Sequence, residues 1–488
     1  MKNKNIKICT LLAITLLFNA CGLLDVDTVS SISGDGYWKT KGDAESYLVG
    51  IYTSLRDVVN SSGLTNFEDR GDAFDFGLIG GPSNQWAQNL TSQNGYGWGG
   101  YYTVIQHCNM LIKNIESIHF GVEADKNALL AETYFIRSYM YFNVLRIWGD
   151  APIELEPTEN ASKPKLRRSP ASEVLQQALD DVNKSLELFS NESYSKGKGR
   201  VSKPASHALK ADILLWRAKV LDGTNKDYED VIANAELASK GLSLEEDFAN
   251  IYGTKKGKEV IFALHFEMYE KSGHYSSKLK PRDVFVEKAV NKADIAYAKS
   301  GASPNYAPSN ELMSLFEKNP SDDRIKKSYI KGVDPDGNLI GVFDNKMRGT
   351  KTEGDRSFDS DIIIYRLAEM YLFKAEAFAA LGKMPEAVAE LNKVRNRAKI
   401  GNYAGAMDKL SVEKEILDER GRELYLELKR WPDLLRFHYS KTIDVYDIVP
   451  NLRKKLEQGI RVPLYLAIPL RDLDINSNLE QTKGYENL

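Results

Sequence analysis

The chain has 488 residues, with 65 basic against 68 acidic side chains, a formal net charge of -3 and 42% hydrophobic residues. This balance argues against a nucleic-acid partner, which calls for a basic face, and it supplies enough apolar side chains for a large core in one extended or two intimately joined units. No CxxC or HExxH spacing occurs and the six histidines are scattered, so a zinc site has no support.

The first element is a signal peptide. Met1 to Lys7 carries three lysines and no acid, and Ile8 to Phe18 is an apolar run leading into Asn19-Ala20-Cys21. The run is well short of the roughly 20 residues that a helix needs to cross a bilayer. A cysteine behind a small residue at this point is where a bacterial lipoprotein is cleaved and acylated. Residues 1–20 are therefore read as the lipoprotein signal and Cys21 as the lipidated anchor of the mature chain, although Phe18 and Asn19 replace the usual aliphatic and small residues. Loss of Lys2, Lys4 and Lys7 leaves 62 bases against 68 acids. With Cys9 removed and Cys21 acylated, Cys108 has no disulfide partner and reads as a buried core thiol.

Beyond the signal, apolar residues recur every three or four positions through Ala44–Val59, Tyr101–Ile118, Leu129–Ile147, Val174–Leu188 and Ala205–Leu221. The same period continues through Tyr228–Leu242, Ile362–Leu381, Pro385–Ala398 and Val412–Leu435, with Asp43, Ser169-Pro170 and Ser411 as starts. The fold class is mainly α. Ala208–Gly241 and Ala368–Arg397 look like tetratricopeptide-type helix pairs, in which Ala375, Ala379, Gly382 and Ala387 let paired helices approach closely. Three irregular regions, about 60–100, 272–309 and 332–359, are rich in Gly, Pro, Ser and Asn, and Glu259–Glu267 reads as one of few strands.

Several marked segments now appear in a recognisable order. Gly36-Tyr37-Trp38-Lys39-Thr40 follows an extended lead, Leu24-Asp25-Val26-Asp27. Trp98 precedes Tyr101-Tyr102, and Ala131–Ser138 leads to Gly149-Asp150-Ala151-Pro152. Later come Asp361–Tyr371, Glu419-Arg420-Gly421-Arg422-Glu423-Leu424 and Arg430-Trp431-Pro432-Asp433-Leu434-Leu435-Arg436, and the tail ends in Gly484-Tyr485. This pattern, spanning nearly all of residues 21–488, resembles the SusD/RagB family, with an N-terminal part at about 21–230 and a C-terminal part at about 260–488. The resemblance implies a helical superhelix of tetratricopeptide-like pairs with an irregular ligand-binding side, no enzymatic activity and no cofactor. It also implies a lipid-anchored place on the outer membrane, facing outward, over a SusC-like TonB-dependent transporter, with oligosaccharide as ligand. The RagB branch would take peptides instead.

A sugar presents apolar ring faces and hydroxyl rims, so its site calls for flat aromatic side chains flanked by amides and carboxylates. From Gly77 to Ile112 there is no charged residue, yet Asn84, Gln85, Trp86, Tyr96 and Trp98 all fall there. Trp86 lies mid-loop with no helical phase to bury it and is the first candidate platform; pinning the loop is the alternative. Arg70 and Asp72, just upstream, are candidates for sugar hydroxyls, against the plainer reading of an ion pair. A second loop offers Tyr297 and Tyr306, and Tyr306 lies between prolines. Trp38, Trp148, Trp216 and Trp431 read as packing residues, and so, on balance, does Trp98.

A glycoside hydrolase would require two carboxyl groups facing each other across a sugar. Glu419, Glu423 and Glu427 instead recur at helical spacing beside Arg420, Arg422 and Arg430. Arg366 with Glu369 and Glu132 with Arg137 follow suit, all as intrahelical ion pairs.

Overall fold

The computed structural model describes residues 34–159, 164–194, 196–270 and 273–485; the expected signal at 1–20, Cys21 and the lead Leu24–Asp27 lie outside them. The longer helices are α1 (Lys41–Phe67), α2 (Gly99–Asn114), α3 (Glu123–Trp148), α4 (Ala171–Leu188), α5 (Lys203–Val220), α6 (Asn225–Ser239), α7 (Asn310–Glu317), α8 (Leu367–Ala380), α9 (Met384–Arg397), α10 (Lys409–Glu423), α11 (Arg430–Tyr439) and α12 (Pro450–Glu457). From α1 to α6 each helix packs on the next, and α6 then packs on α8, which pairs with α9 under α10. The two expected helix pairs, α5–α6 and α8–α9, are therefore spatial neighbours despite the long insertion between them. Ala208, Ala211, Ala235, Ala375, Ala379 and Ala387 are fully buried at these contacts, which lets the helices approach and bury faces that neither covers alone.

The starts and breaks have local causes. Thr40 caps α1: its hydroxyl accepts from the Asp43 backbone N–H, and the Asp43 carboxylate accepts from the Thr40 N–H, so Asp43 is the reciprocating residue and not the cap itself. Similarly Asp408, one turn before Ser411, caps α10. Helix α1 continues past Val59 to Phe67 because Leu64 and Phe67 still face the core. The expected loop at 60 begins only after it. The expected helix at Val412–Leu435 is two helices, broken where Leu426 and Leu428 adopt φ of +63°. Leu428 abuts α1 at Gly63, where a Cβ would come within 2.7 Å of Leu428 Cδ1.

The strands of the described residues form short antiparallel pairs: β1 (Phe74–Phe76) with β3 (Tyr306–Pro308), β2 (Val260–Leu264) with β8 (Ile362–Arg366), β4 (Tyr329–Val333) with β5 (Leu339–Asp344), and β6 (Thr350–Lys351) with β7 (Arg356–Ser357). The anticipated strand is β2. Its partner β8 takes residues 362–366 away from the expected helix, which starts at Leu367. Trp148, Trp216 and Trp431 are core residues, and Cys108 is a fully buried thiol whose pKa burial pushes up.

The charged motifs are also internal, but mostly between elements. Arg366 binds Glu259, Glu423 and Glu427; Arg324 binds Asp322, Glu419 and Glu423; Arg420 binds Glu369 and Asp433. Of the expected intrahelical pairs, Arg422–Glu419 forms. Glu132 pairs with Arg200 and Lys196, and Arg137 makes a two-bond pair with Asp181, so these two correct the expected Glu132–Arg137 pairing. Buried guanidinium–carboxylate pairs of this kind fix the relative placement of the elements they join.

Candidate functional site

Two of the three irregular regions singled out in the sequence, 60–100 and 272–309, meet. Strand β1 pairs with β3 in the register Phe74–Pro308, Asp75–Ala307 and Phe76–Tyr306, and the contact runs on through Gly77 N–H to Asn305 O (2.9 Å) and Ile79 N–H to Pro304 O (3.1 Å). Gly77 permits this: a Cβ there would lie 2.0 Å from Pro304 O.

Trp86 sits above this junction, half-buried and held at three points. Its N–H donates to Ser83 Oγ (3.1 Å), its carbonyl accepts from Asn451 Nδ2 of α12 (2.9 Å), and its indole N–H donates to Phe74 O (2.8 Å). The indole edge is thus turned inward and spent on the backbone. Phe76 stands edge-on to the ring, with centroids 4.8 Å apart and planes at 78°, and is itself 58% exposed. Leu78 and Asn84, each two residues from one of the rings in the chain, are exposed. Together Phe76 and Trp86 form an aromatic shelf, and Phe76 was missed in the sequence. Its one signal there is its place beside the charge-free run.

Below the shelf lies a polar clamp. The Asp69 carboxylate accepts from Ser83 Oγ (2.5 Å) and from Tyr306 Oη (2.9 Å), tying the first loop to the second. Burial raises the Asp69 pKa to about 6 even though both hydroxyls favour its charged form, and its Oδ1 has no hydrogen-bond partner among the described residues. Half-buried Tyr96 is directed at the same place, its pKa raised by burial and then by the Asp69 charge.

Four of the sequence candidates are withdrawn from any ligand surface by this geometry. Tyr306 is no stacking platform: it is 5% exposed, packs on Phe74 and spends its hydroxyl on Asp69. Arg70 is buried over the Trp431 ring and donates to Gln88 and to the carbonyls of Pro463 and Leu464. Asp72 is buried in a two-bond pair with Arg430 at 2.6 and 2.7 Å. Gln85 is fully buried and donates to Asn66. Tyr297 stays half-exposed but belongs to a separate apolar cluster around Ile295 and Phe343, under Lys292. Trp98 packs edge-on to Tyr102 and Trp148 and lines an open cavity of about 390 Å³ together with Pro152, Leu166, Asp472 and Leu479.

A profile of the SusD family matches residues 239–485, and one described as "Starch-binding associating with outer membrane" matches residues 53–215. The chain belongs to the SusD family. A SusD-like protein of Formosa agariphila, P38, is 26% identical to it across 99% of this chain and all of its own length. The starch-binding protein SusD of Bacteroides thetaiotaomicron is 34% identical over 167 residues, which is 33% of this chain and 28% of its own. Among solved structures, Bacteroides fragilis NanU superposes with a TM-score of 0.80 at 26% identity, covering 95% of this chain and all of its own. The mainly helical fold with paired helices is thus that of SusD superfamily proteins. At family level the description carries starch binding and association with the outer membrane. Among the described residues no helix is long and apolar enough to cross a membrane.

Proposed function

We propose that this SusD-family chain is a non-enzymatic, glycan-binding lipoprotein that captures oligosaccharides at the outer surface of the outer membrane and delivers them to a SusC-like TonB-dependent transporter. The observation that carries the reading is the Phe76–Trp86 shelf: two aromatic rings held at the junction of two loops, in a stretch that exposes Asn84 and has no charged side chain between Gly77 and Ile112. Such a surface stacks on sugar rings and bonds their rims. Trp86, Phe76, Asn84 and Tyr96 are its proposed contacts. Cys21 is the proposed acylation site following the signal at 1–20, so that lipid holds residues 21–488 to the membrane. The carboxylates a hydrolase reading would draw on, Glu419, Glu423 and Glu427, are each engaged by buried arginines or a lysine, which supports binding without catalysis.

The test is titration calorimetry of the chain from Gly22 onward against plant, host and microbial oligosaccharides and mixed peptides, with Trp86→Ala and Phe76→Ala in parallel. One glycan class should bind, and each variant should bind it at least about tenfold more weakly with an unchanged circular dichroism spectrum. Binding of peptides and of no glycan would replace this reading with a peptide-uptake role. Glycan binding untouched by both variants would move the site away from the shelf.

A further inference from the structure

A cavity of about 820 Å³ opens between strand β4, the 291–294 segment and the turn before β4, outside the shelf. Its charged lining is Lys326, Lys331, Arg348 and one acid, Asp294. This bias is unusual for the neighbourhood. Lys327, adjacent in sequence, is tied to Asp247 (2.7 Å) and Asp323 (2.6 Å), and Arg324 is saturated by Asp322, Glu419 and Glu423. Lys326 and Lys331 have no carboxylate within 4 Å among the described residues.

The walls are built by side chains that hold one another. Asn345 Nδ2 donates to Lys326 O (2.6 Å), and its Oδ1 accepts from Arg348 Nη1, which also donates to Asp294 O (2.9 Å). Asn291 Nδ2 donates to Lys331 O (2.9 Å) and its Oδ1 accepts from Val333 N–H (3.3 Å). The two asparagines thus fix the backbones that carry both lysines, and Arg348 is oriented through Nη1, with no hydrogen bond at Nη2 or Nε among the described residues. A held guanidinium lining the same cavity as two lysines that have no carboxylate partner among the described residues matches an oxyanion with several acceptor oxygens.

Position links this cavity to the shelf. Lys331 precedes Gly332, which pairs with Gly341 on β5, and at Gly341 a Cβ would lie 3.2 Å from Leu78, two residues beyond Phe76. One hairpin therefore touches the shelf loop with β5 and lines the cavity with β4, strands about 5 Å apart.

We infer that this cavity binds the carboxylate or sulfate substituents of an acidic oligosaccharide, so that the chain takes up anionic glycans. This rests on the proposed capture role. Its test has a separate readout. Trigalacturonate, its carboxyl-reduced counterpart, a chondroitin sulfate tetrasaccharide and inorganic sulfate are titrated at low salt into the chain from Gly22 onward and into Lys331→Ala/Arg348→Ala. The expected result is that at least one acidic oligosaccharide binds more tightly than the reduced form. The double variant should weaken it at least about tenfold, leaving any Phe76-dependent neutral binding unchanged. Lys326→Gln, at an exposed position, gives the same direction should the double variant unfold. Equal affinity for the acidic and reduced sugars, or unaltered acidic binding in the variants, overturns the inference. Inorganic sulfate competing as well as the oligosaccharides reduces the cavity to a free-anion site and overturns the sugar assignment. If Phe76→Ala has no effect on any glycan while Arg348 still governs acidic ones, the shelf reading fails and this one stands.

Discussion

The C-terminal helices and the loop at 77–98 use charge in opposite ways. Around α8, α10 and α11 almost every motif arginine is buried and answered by a carboxylate from another element. The loop carries no formal charge and rests on two ionisable groups outside it: Asp69, which accepts from the hydroxyls of Ser83 and Tyr306, and Arg70, which donates to Gln88. Where charges are numerous they are consumed in placing helices; where they are absent, aromatic and amide groups are left to face outward. The richest motifs of this chain therefore report its architecture, and the plainest stretch bears its candidate site.

The largest expected effect breaks the charged region. Arg366→Met leaves Glu259, Glu423 and Glu427 facing one another without their shared cation. Removing one partner of a buried ionic network costs roughly 3–5 kcal/mol, so the melting temperature should fall by many degrees, measured by calorimetry. A shift of only a degree or two would mean that the network is dispensable and that packing alone sets the helix positions.

The same contrast explains what could be read in advance. Helical period and small residues exposed the α5–α6 and α8–α9 pairs because those signals are local to each pair. Their stacking across the insertion is a long-range fact with no local trace. Arg70 and Asp72 look in sequence like any polar residues beside a loop, and only the approach of Trp431 and Arg430, more than 350 positions away, shows them to be buried. Phe76 was invisible for the converse reason: alternation in a three-residue strand is too short to tell a buried aromatic from an exposed one, and Phe74, on the same strand, is buried. The clamp at Asp69 needed the β1–β3 pairing, which nothing in either loop announces.

The second prediction sharpens the comparison through pH. Burial opposes ionisation of Glu376, but Arg436 and Lys219 outweigh it and bring its pKa to about 2, and Arg324 and Arg422 do the same for Glu419. Folded values below the unfolded value mean stability that is fully present above about pH 4.5 and lost as pH falls toward 2. Asp69 has the opposite sign. Its folded pKa of about 6 lies above the unfolded value of 3.8, so its ionisation costs stability that is absent below about pH 4 and fully felt above about pH 6. In Asp69→Asn the amide oxygen still accepts from Ser83 and Tyr306, while its nitrogen replaces the unpartnered Oδ1. The variant should be more stable than the parent at pH 8, by at most about 3 kcal/mol, and no more stable at pH 4. Thermal melts of both chains across this range check it. A constant offset at all pH values would show that Asp69 is ionised at no cost and that the clamp is an ordinary hydrogen-bonded turn.

The smallest effect on stability tests whether the two loops act as one surface. A methyl group at residue 77 would meet Pro304 O at 2.0 Å and the carbonyl carbon of Asn305 at 2.6 Å, and both neighbours are backbone, so they yield only if the strands part. Overpacking of this kind costs about 1–3 kcal/mol. The disturbance is local, because the charged helices are tied together elsewhere. Gly77→Ala should therefore lower the melting temperature modestly while increasing hydrogen exchange in the backbone around Phe76, Ile79 and Tyr306. Any glycan affinity that depends on Phe76 should fall with it, since separating β1 from β3 moves Phe76 relative to Trp86, which is anchored independently through Asn451. Loss of affinity in Gly77→Ala with Trp86 still pinned would mean that the ligand reads the spacing of the two rings. Retained affinity would mean that Trp86 suffices and that the β1–β3 pairing serves the fold alone.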